Sequence, residues 1–131
     1  MTQPYRTDIQ VRFNDTDALG HLNNTSYAVY AEQARVAFLR AAGEEGGLIL
    51  AHIALDFRRQ GRFGEPVYVL TAVDKVGNTS VRLRQEIYVG DELAAEVGSV
   101  VVFFDYQAQR PRPIPAAMRA RLEEMSGALT A

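Results

Sequence analysis

The sequence predicts an α+β fold in which one long helix lies on a curved antiparallel sheet of about five strands. Three observations carry this. A short alternating segment precedes a single long helical pattern. Four segments of strand-type alternation follow it. The turns that join them are short and carry Gly, Asn and Asp, so sequential strands pair as an antiparallel meander.

Taken in order, residues 8–13 read as the first strand, with Ile9, Val11 and Phe13 on one face and Gln10 and Arg12 on the other. A polar loop, 14–24, follows, and Asn23 or Asn24 supplies a short side-chain acceptor for the first turn of a helix. That helix is expected from Thr25 to Ala42. Tyr27, Tyr30, Ala31, Ala34 and Phe38 recur at three- and four-residue spacing, and Ala28, Val29, Val36, Ala37 and Leu39 make the other face apolar too. A helix apolar most of the way round is buried on several sides. Glu32 and Arg35, three apart, are expected to pair on the exposed side. Gly43 and then Gly46-Gly47 end the helix.

The remaining strands are expected at 50–59, 67–76, 80–89 and 93–106. Ile53, Leu55 and Phe57 alternate against Ala54, Asp56 and Arg58. Val81, Leu83, Gln85 and Ile87 alternate against Arg82, Arg84, Glu86 and Tyr88. Gly77-Asn78 and Gly90-Asp91 mark tight turns. The run Arg110 to Pro115 reads as an extended connector, and residues 116–125 as a short helix. Residues 1–131 form a single domain with a tail from about 110 to 131, a size that buries roughly two-thirds of its unfolded surface.

Composition narrows the chemistry. A chain with 47% apolar and 23% charged residues is globular. The absence of cysteine excludes disulfides, thiolate metal sites and a cysteine nucleophile. His21 and His52 show no metal-ligand spacing, so no metal is expected. A net charge of −2 gives no reason to expect nucleic acid as a partner. No apolar run approaches the roughly 18 residues of a membrane span, and the N-terminal residues lack the apolar core of a secretory leader. The expected location is the cytoplasm.

The most informative stretch runs from Val11 to Arg35. In it Val11-Arg12-Phe13-x-Asp15-x-Asp17-x-x-Gly20-His21-x-Asn23-Asn24 leads into Tyr27-x-x-Tyr30-x-Glu32-x-Ala34-Arg35. This run resembles the hotdog-fold acyl-CoA thioesterases of the 4-hydroxybenzoyl-CoA thioesterase type. The likeness is specific over residues 9–40 and collinear to about residue 115, where Leu55-Asp56-Phe57-Arg58, Gly64-Glu65 and Val89-Gly90-Asp91-Glu92 fall on comparable elements. It implies a long central helix wrapped by the sheet. It also implies a homodimer joined sheet edge to sheet edge, or a homotetramer built as a dimer of dimers, with active sites between protomers. It implies that Asp17 is the catalytic carboxylate, as nucleophile or general base, and that the Gly20 amide points toward the thioester oxygen. Two departures stand out. The plant acyl-carrier-protein thioesterases, also similar around Asp17 and His21, carry asparagine where this chain has Leu19. Relatives often have a proline within the stretch Arg59-Gln60-Gly61-Arg62, and this chain has none there.

The residues fit that chemistry. Thioester hydrolysis needs an oxygen nucleophile, donors for the developing oxyanion and a dry acyl pocket. Asp17 supplies the first, and amides at the start of the helix supply the second. His21 either assists the reaction or fixes the loop, and Asn23 either ties the loop or orients water. Asp15 reads as a structural residue of the loop. Tyr27 is a core or pocket wall. Arg58, Arg59 and Arg62 are the candidates for the phosphates of coenzyme A, against a reading as solvated surface. No cofactor is expected beyond the coenzyme A of the substrate. The alternatives are an acyl-carrier-protein thioesterase, which would favour a basic docking patch, and a non-catalytic acyl-CoA-binding module, which would bind without turnover.

Overall fold

The computed structural model describes residues 4–44 and 46–125. Residues 1–3 of the segment read for a leader, Glu45, and residues 126–131 of the expected tail lie outside the described residues. The elements run β1 (Tyr5–Ile9), a 3-10 turn (Phe13–Asp15), α1 (Asn24–Ala41), β2 (Leu48–Phe57), β3 (Val67–Val76), β4 (Ser80–Val89), β5 (Glu92–Asp105), β6 (Arg110–Pro111) and α2 (Ala116–Glu124). Five strands form an antiparallel sheet in the order β1-β3-β4-β5-β2, and β6 adds a short pair at the far end of β5. One helix wrapped by this sheet is the hotdog arrangement.

The long helix sits close to the sheet because its inner face is small where it crosses the strands. Ala31 and Ala34 are fully buried there. The large side chains lie on either side of them. Tyr27 and Tyr30 join Ile9, Val67, Val69, Ile87 and Val97 in one apolar cluster. Phe38 and Leu39 join Val73, Leu83, Val101 and Phe103 in a second, which Met118 and Leu122 of α2 close. Each such side chain contributes about 1.5–3 kcal/mol on burial. Between the clusters the sheet carries buried Thr71, Gln85 and Ser99. The Gln85 amide donates to the Ala31 carbonyl at 3.0 Å and to the Thr71 hydroxyl at 3.1 Å, which ties β4 to the helix where the apolar contact is thinnest.

Three expectations are corrected. The first strand lies at Tyr5–Ile9 instead of 8–13, so Val11 and Phe13 fall outside it, and Phe13 is 75% exposed. The cause is Asp15. Its carboxylate accepts the Arg12 amide at 2.9 Å, which bends the chain into the 3-10 turn and off the sheet. Arg35 is buried at 6% exposure, whereas Glu32 is exposed, and no ion pair joins them. Burial holds the Arg35 guanidinium below its ordinary pKa. The connector is not wholly free, because Arg110–Pro111 pairs with Phe104–Asp105. The helix end follows the expected logic: Gly43 takes φ +105°, and the Glu44 amide reaches back to the Leu39 carbonyl at 2.9 Å.

The turn after β1 hangs on a buried carboxylate. Asp15 is 7% exposed and also accepts the Tyr30 hydroxyl at 2.9 Å. Burial and this bond push the Tyr30 phenol well above its usual pKa, so it stays a donor. Tyr30→Phe removes that donor and keeps the ring. The expected loss is about 1.5–3 kcal/mol, the range for a bond to a charged group, read by urea unfolding. A loss below about 0.5 kcal/mol, the size of an ordinary surface change, would show that the bond does not hold the turn.

Candidate functional site

The site begins at the N-terminus of α1. The Asn23 side chain caps the helix, accepting the Thr25 amide and hydroxyl, each at 3.0 Å. The Asp15 carbonyl holds the same end from below, accepting the Asn23 amide and the Ser26 hydroxyl at 2.8 Å. The loop between them folds back on itself. The Asp17 amide donates to the His21 carbonyl at 2.7 Å, and Gly20, at φ +80°, makes the reversal that a residue with a Cβ rarely adopts.

This reversal aims two amides at one carboxylate. Leu19 and His21 donate to Oδ1 of Asp17 at 2.8 and 3.1 Å. Hydrogen bonds favour the charged form, so Asp17 titrates below the usual aspartate value, led by the Leu19 amide. Both bonds fall on Oδ1, which leaves Oδ2 without a partner among the described residues. The Gly20 amide is occupied by the Asp17 carbonyl at 3.2 Å, a long bond.

A second segment closes against this loop. The Arg58 and Arg59 amides both donate to the Ala94 carbonyl, at 2.7 and 3.2 Å, which ends β2 and turns the chain. Gly61 then accepts the Leu22 amide at 2.8 Å and donates its own to the Tyr27 hydroxyl at 3.0 Å. Burial pushes the Tyr27 phenol up, so it remains neutral. His21 and Arg62 form a bridge, and the Phe63 amide reaches the Gly20 carbonyl at 3.3 Å.

Between the two segments opens a cavity of about 370 Å³. Of the residues expected from the sequence, Asp17, His21, Tyr27, Arg58 and Arg59 line it. Gly20, Asn23 and Arg62 do not: Gly20 shapes the loop, Asn23 caps the helix, and Arg62 lies exposed at the bridge. Sequence reasoning missed Leu22, Asn24, Phe57 and Gln60, which complete the lining. The signal for Asn24 was its place on the first turn. For Gln60 the signal was its place between Arg59 and Arg62, whereas for Phe57 the sequence holds none, because only the pairing of β2 with β5 brings it there.

The two arginines are held differently. Arg59 donates to the Val89 carbonyl at 3.0 Å and faces Glu92 and Glu65 at 3.5 and 3.8 Å, a clamp on the β4–β5 turn. Arg58 is half exposed and, among the described residues, ion-paired with Glu96 alone. Among the described residues no cluster of three or more His, Asp or Glu side chains stands ready for a metal, and no helix is long and apolar enough to cross a membrane.

This architecture has known relatives. The chain belongs to the thioesterase-like superfamily, whose family model matches residues 11–122. A thioesterase from Thermus thermophilus, solved in complex with coenzyme A and zinc, is 30% identical, superposes with a TM-score of 0.85 and shares 94% of each chain. The structure of a predicted thioesterase from Bacillus stearothermophilus is 29% identical with a TM-score of 0.89, over 95% of this chain and 98% of its own. The acyl-CoA thioester hydrolase YbgC of Escherichia coli O6:H1 is 24% identical over 94% of this chain and 98% of its own length.

Gly61 is the tightest joint of the site. A Cβ there would lie 2.8 Å from Leu22 Cδ1 and 3.0 and 3.1 Å from the methyls of Val89. Gly61→Ala is expected to cost about 1–3 kcal/mol by overpacking, seen as a lower melting temperature. A variant as stable as the parent would mean that the Leu22 wall of the cavity yields freely.

Proposed function

We propose that this protein hydrolyses acyl-CoA thioesters to a free carboxylic acid and coenzyme A, with Asp17 as general base or nucleophile. The observation that carries the reading is the Asp17 carboxylate itself. It is ionised, it is fixed through one oxygen, and its other oxygen is open beside a cavity at a helix N-terminus. A base or nucleophile needs that combination, since the fixed oxygen sets direction and the open one reacts. Amides near the start of α1, with Gly20 among them, are the donors for the developing oxyanion. Each such donor is worth on the order of 10²–10³ in turnover. For the Gly20 amide this requires exchanging its long bond to the Asp17 carbonyl for the substrate oxygen.

His21 borders the same cavity and serves to orient the attacking water or the thioester, and Tyr27 forms the wall against which the acyl group begins. Arg58 meets the coenzyme phosphates. Arg59, already facing two carboxylates, shapes the lip more than it binds. The acidic-loop motif favours the 4-hydroxybenzoyl-CoA thioesterase type as the subgroup.

The reading carries with it a cytoplasmic location and a homodimer or homotetramer. β2 supports the second point. Among the described residues it is a ten-residue edge strand hydrogen-bonded on one side only, and Leu50 and Phe57 on it are 42% and 49% exposed. Long bare edges of this kind invite strand pairing, and a copy joined there would bring its own β2 beside the Phe57 end of the cavity.

A thiol-release assay over short, long and aromatic acyl-CoAs tests the reading. Asp17→Asn is expected to lose at least about a hundredfold in kcat/KM, the size of a general-base contribution, with its fold intact by circular dichroism. Because hydrogen bonding lowers the Asp17 pKa, the carboxylate stays ionised as pH falls toward the usual aspartate range of about 4. The acid limb of kcat/KM is therefore expected below that range. An acid limb near neutral pH, or full activity in Asp17→Asn, would remove Asp17 from the chemistry. Tight binding of acyl-CoA without turnover would favour the binding module, and turnover only of acyl-carrier-protein thioesters would favour the carrier-protein enzyme.

A further inference from the structure

Arg58 reaches the lip of the cavity from the outer face of the sheet, and Glu96 builds its seat. Nε and Nη2 of Arg58 both donate to the same oxygen, Oε2 of Glu96, at 2.8 and 2.5 Å. Glu96 stands on β5 with Asp56 of β2 directly across on one side and Glu86 of β4 on the other. Three carboxylates thus lie abreast on adjacent strands, an arrangement that repels unless cations meet it. Glu86 is only 2% exposed, and burial pushes its carboxyl up, with the charge of Glu96 adding to the rise. Arg84 stands beside Glu86, and Arg58 answers Glu96. Beyond them the outer face falls away into a depression of about 230 Å³ over Ala54 and Gly98, which Arg84 also lines, and among the described residues Arg58 is the cation that Glu96 pairs with. Glu96 is therefore confined, with acids on either side and open space along its own strand.

The geometry of the pair leaves half of the guanidinium unused. Arginine carries five donors in a planar fork. Glu96 takes the Nε edge and one hydrogen of Nη2 through a single oxygen. The Nη1–Nη2 edge has no partner among the described residues and is the edge that matches two phosphate oxygens. Arg58 would otherwise be a long side chain, 53% exposed, with many rotamers to lose on binding.

We propose that Glu96 is a positioning residue that holds Arg58 with its open edge toward the coenzyme end of the substrate, and so sets the preference for phosphate-bearing thioesters over pantetheine thioesters. The inference rests on the acyl-CoA reading above and deepens it. Glu96 touches no substrate and acts through Arg58 alone.

The test compares one acyl group carried on coenzyme A and on pantetheine, which lacks the nucleotide phosphates. kcat and KM are measured for both esters with the parent, Glu96→Gln, Arg58→Ala and the double variant. In Glu96→Gln the ratio of kcat/KM for the two esters is expected to fall about three- to tenfold, the order of one weakened charge-assisted bond, with the change lying in KM for the coenzyme A ester. The double variant is expected to match Arg58→Ala alone, because the two residues act as one unit. Arg58→Lys keeps the charge and loses the fork, so it is expected to show the same shift and carries the test if Glu96→Gln does not fold. An unchanged ratio, a lower KM in Glu96→Gln, equal losses on both esters, or additive losses in the double variant would each overturn the proposal while leaving the hydrolase reading in place. A parent protein that turns over neither ester would remove both.

Discussion

The architecture around the cavity depends on one buried carboxylate. Asp15 binds the Arg12 amide, the Tyr30 hydroxyl and, through its carbonyl, the Asn23 amide and Ser26 hydroxyl. Those four groups belong to the end of the first strand's extension, the cap of α1 and two of its first turns. A charge taken out of water is costly unless every such bond is made. The chain therefore has one economical path from β1 to α1, and that path puts residues 17–20 on the surface as the tip of a short closed loop whose far end, Leu22, returns to the core. The acid that does the holding is two residues from the acid left open. Their opposite fates follow from burial: Asp15 is enclosed by the helix, whereas Asp17 is exposed and receives only backbone amides.

Electrostatics in the site is arranged by backbone more than by side chains. Leu19 and His21 keep Asp17 charged without consuming a cation, so no lysine or arginine has to enter the acyl side of the cavity. The cations instead sit on the opposite wall and are already matched by Glu92 and Glu96 of β5 and by Glu65, just before β3. A pocket of this kind has an apolar floor in Tyr27, Phe57 and Leu22, a negative point at one side and partly neutralised arginines at the other.

Much of this was legible in the sequence, and the reasons for the rest are specific. β3 and β4 follow the alternation at 67–76 and 80–89 because each has one face packed under α1. α1 was visible from its tyrosines, alanines and Phe38, and the loop with Asp17 and His21 from its density of polar groups. Val11 and Phe13 misled because alternation outlasts the sheet when a side chain, here Asp15, captures a backbone amide. Arg35 misled because three-residue spacing to an acid says nothing about which way the helix turns its flank. Phe57 and Glu96 were beyond reach for one reason: strand register across β2, β5 and β4 sets their neighbours, and register is a long-range property.

The seam between the two walls of the cavity has a bearing on how the molecule opens. Leu22 is bonded to Gly61, Phe63 to Gly20, and His21 faces Arg62, so segments some forty positions apart are stitched largely by main chain. Helix and sheet amides are protected by neighbours in their own element, but these seam amides are protected only while both segments are docked. Partial opening that leaves every strand intact still parts the seam, and the low-energy excursions of a domain are of this local kind. Deuterium uptake at the amides of Leu22 and Phe63 therefore clocks the assembly of the cavity itself, separately from the unfolding of the domain that carries it.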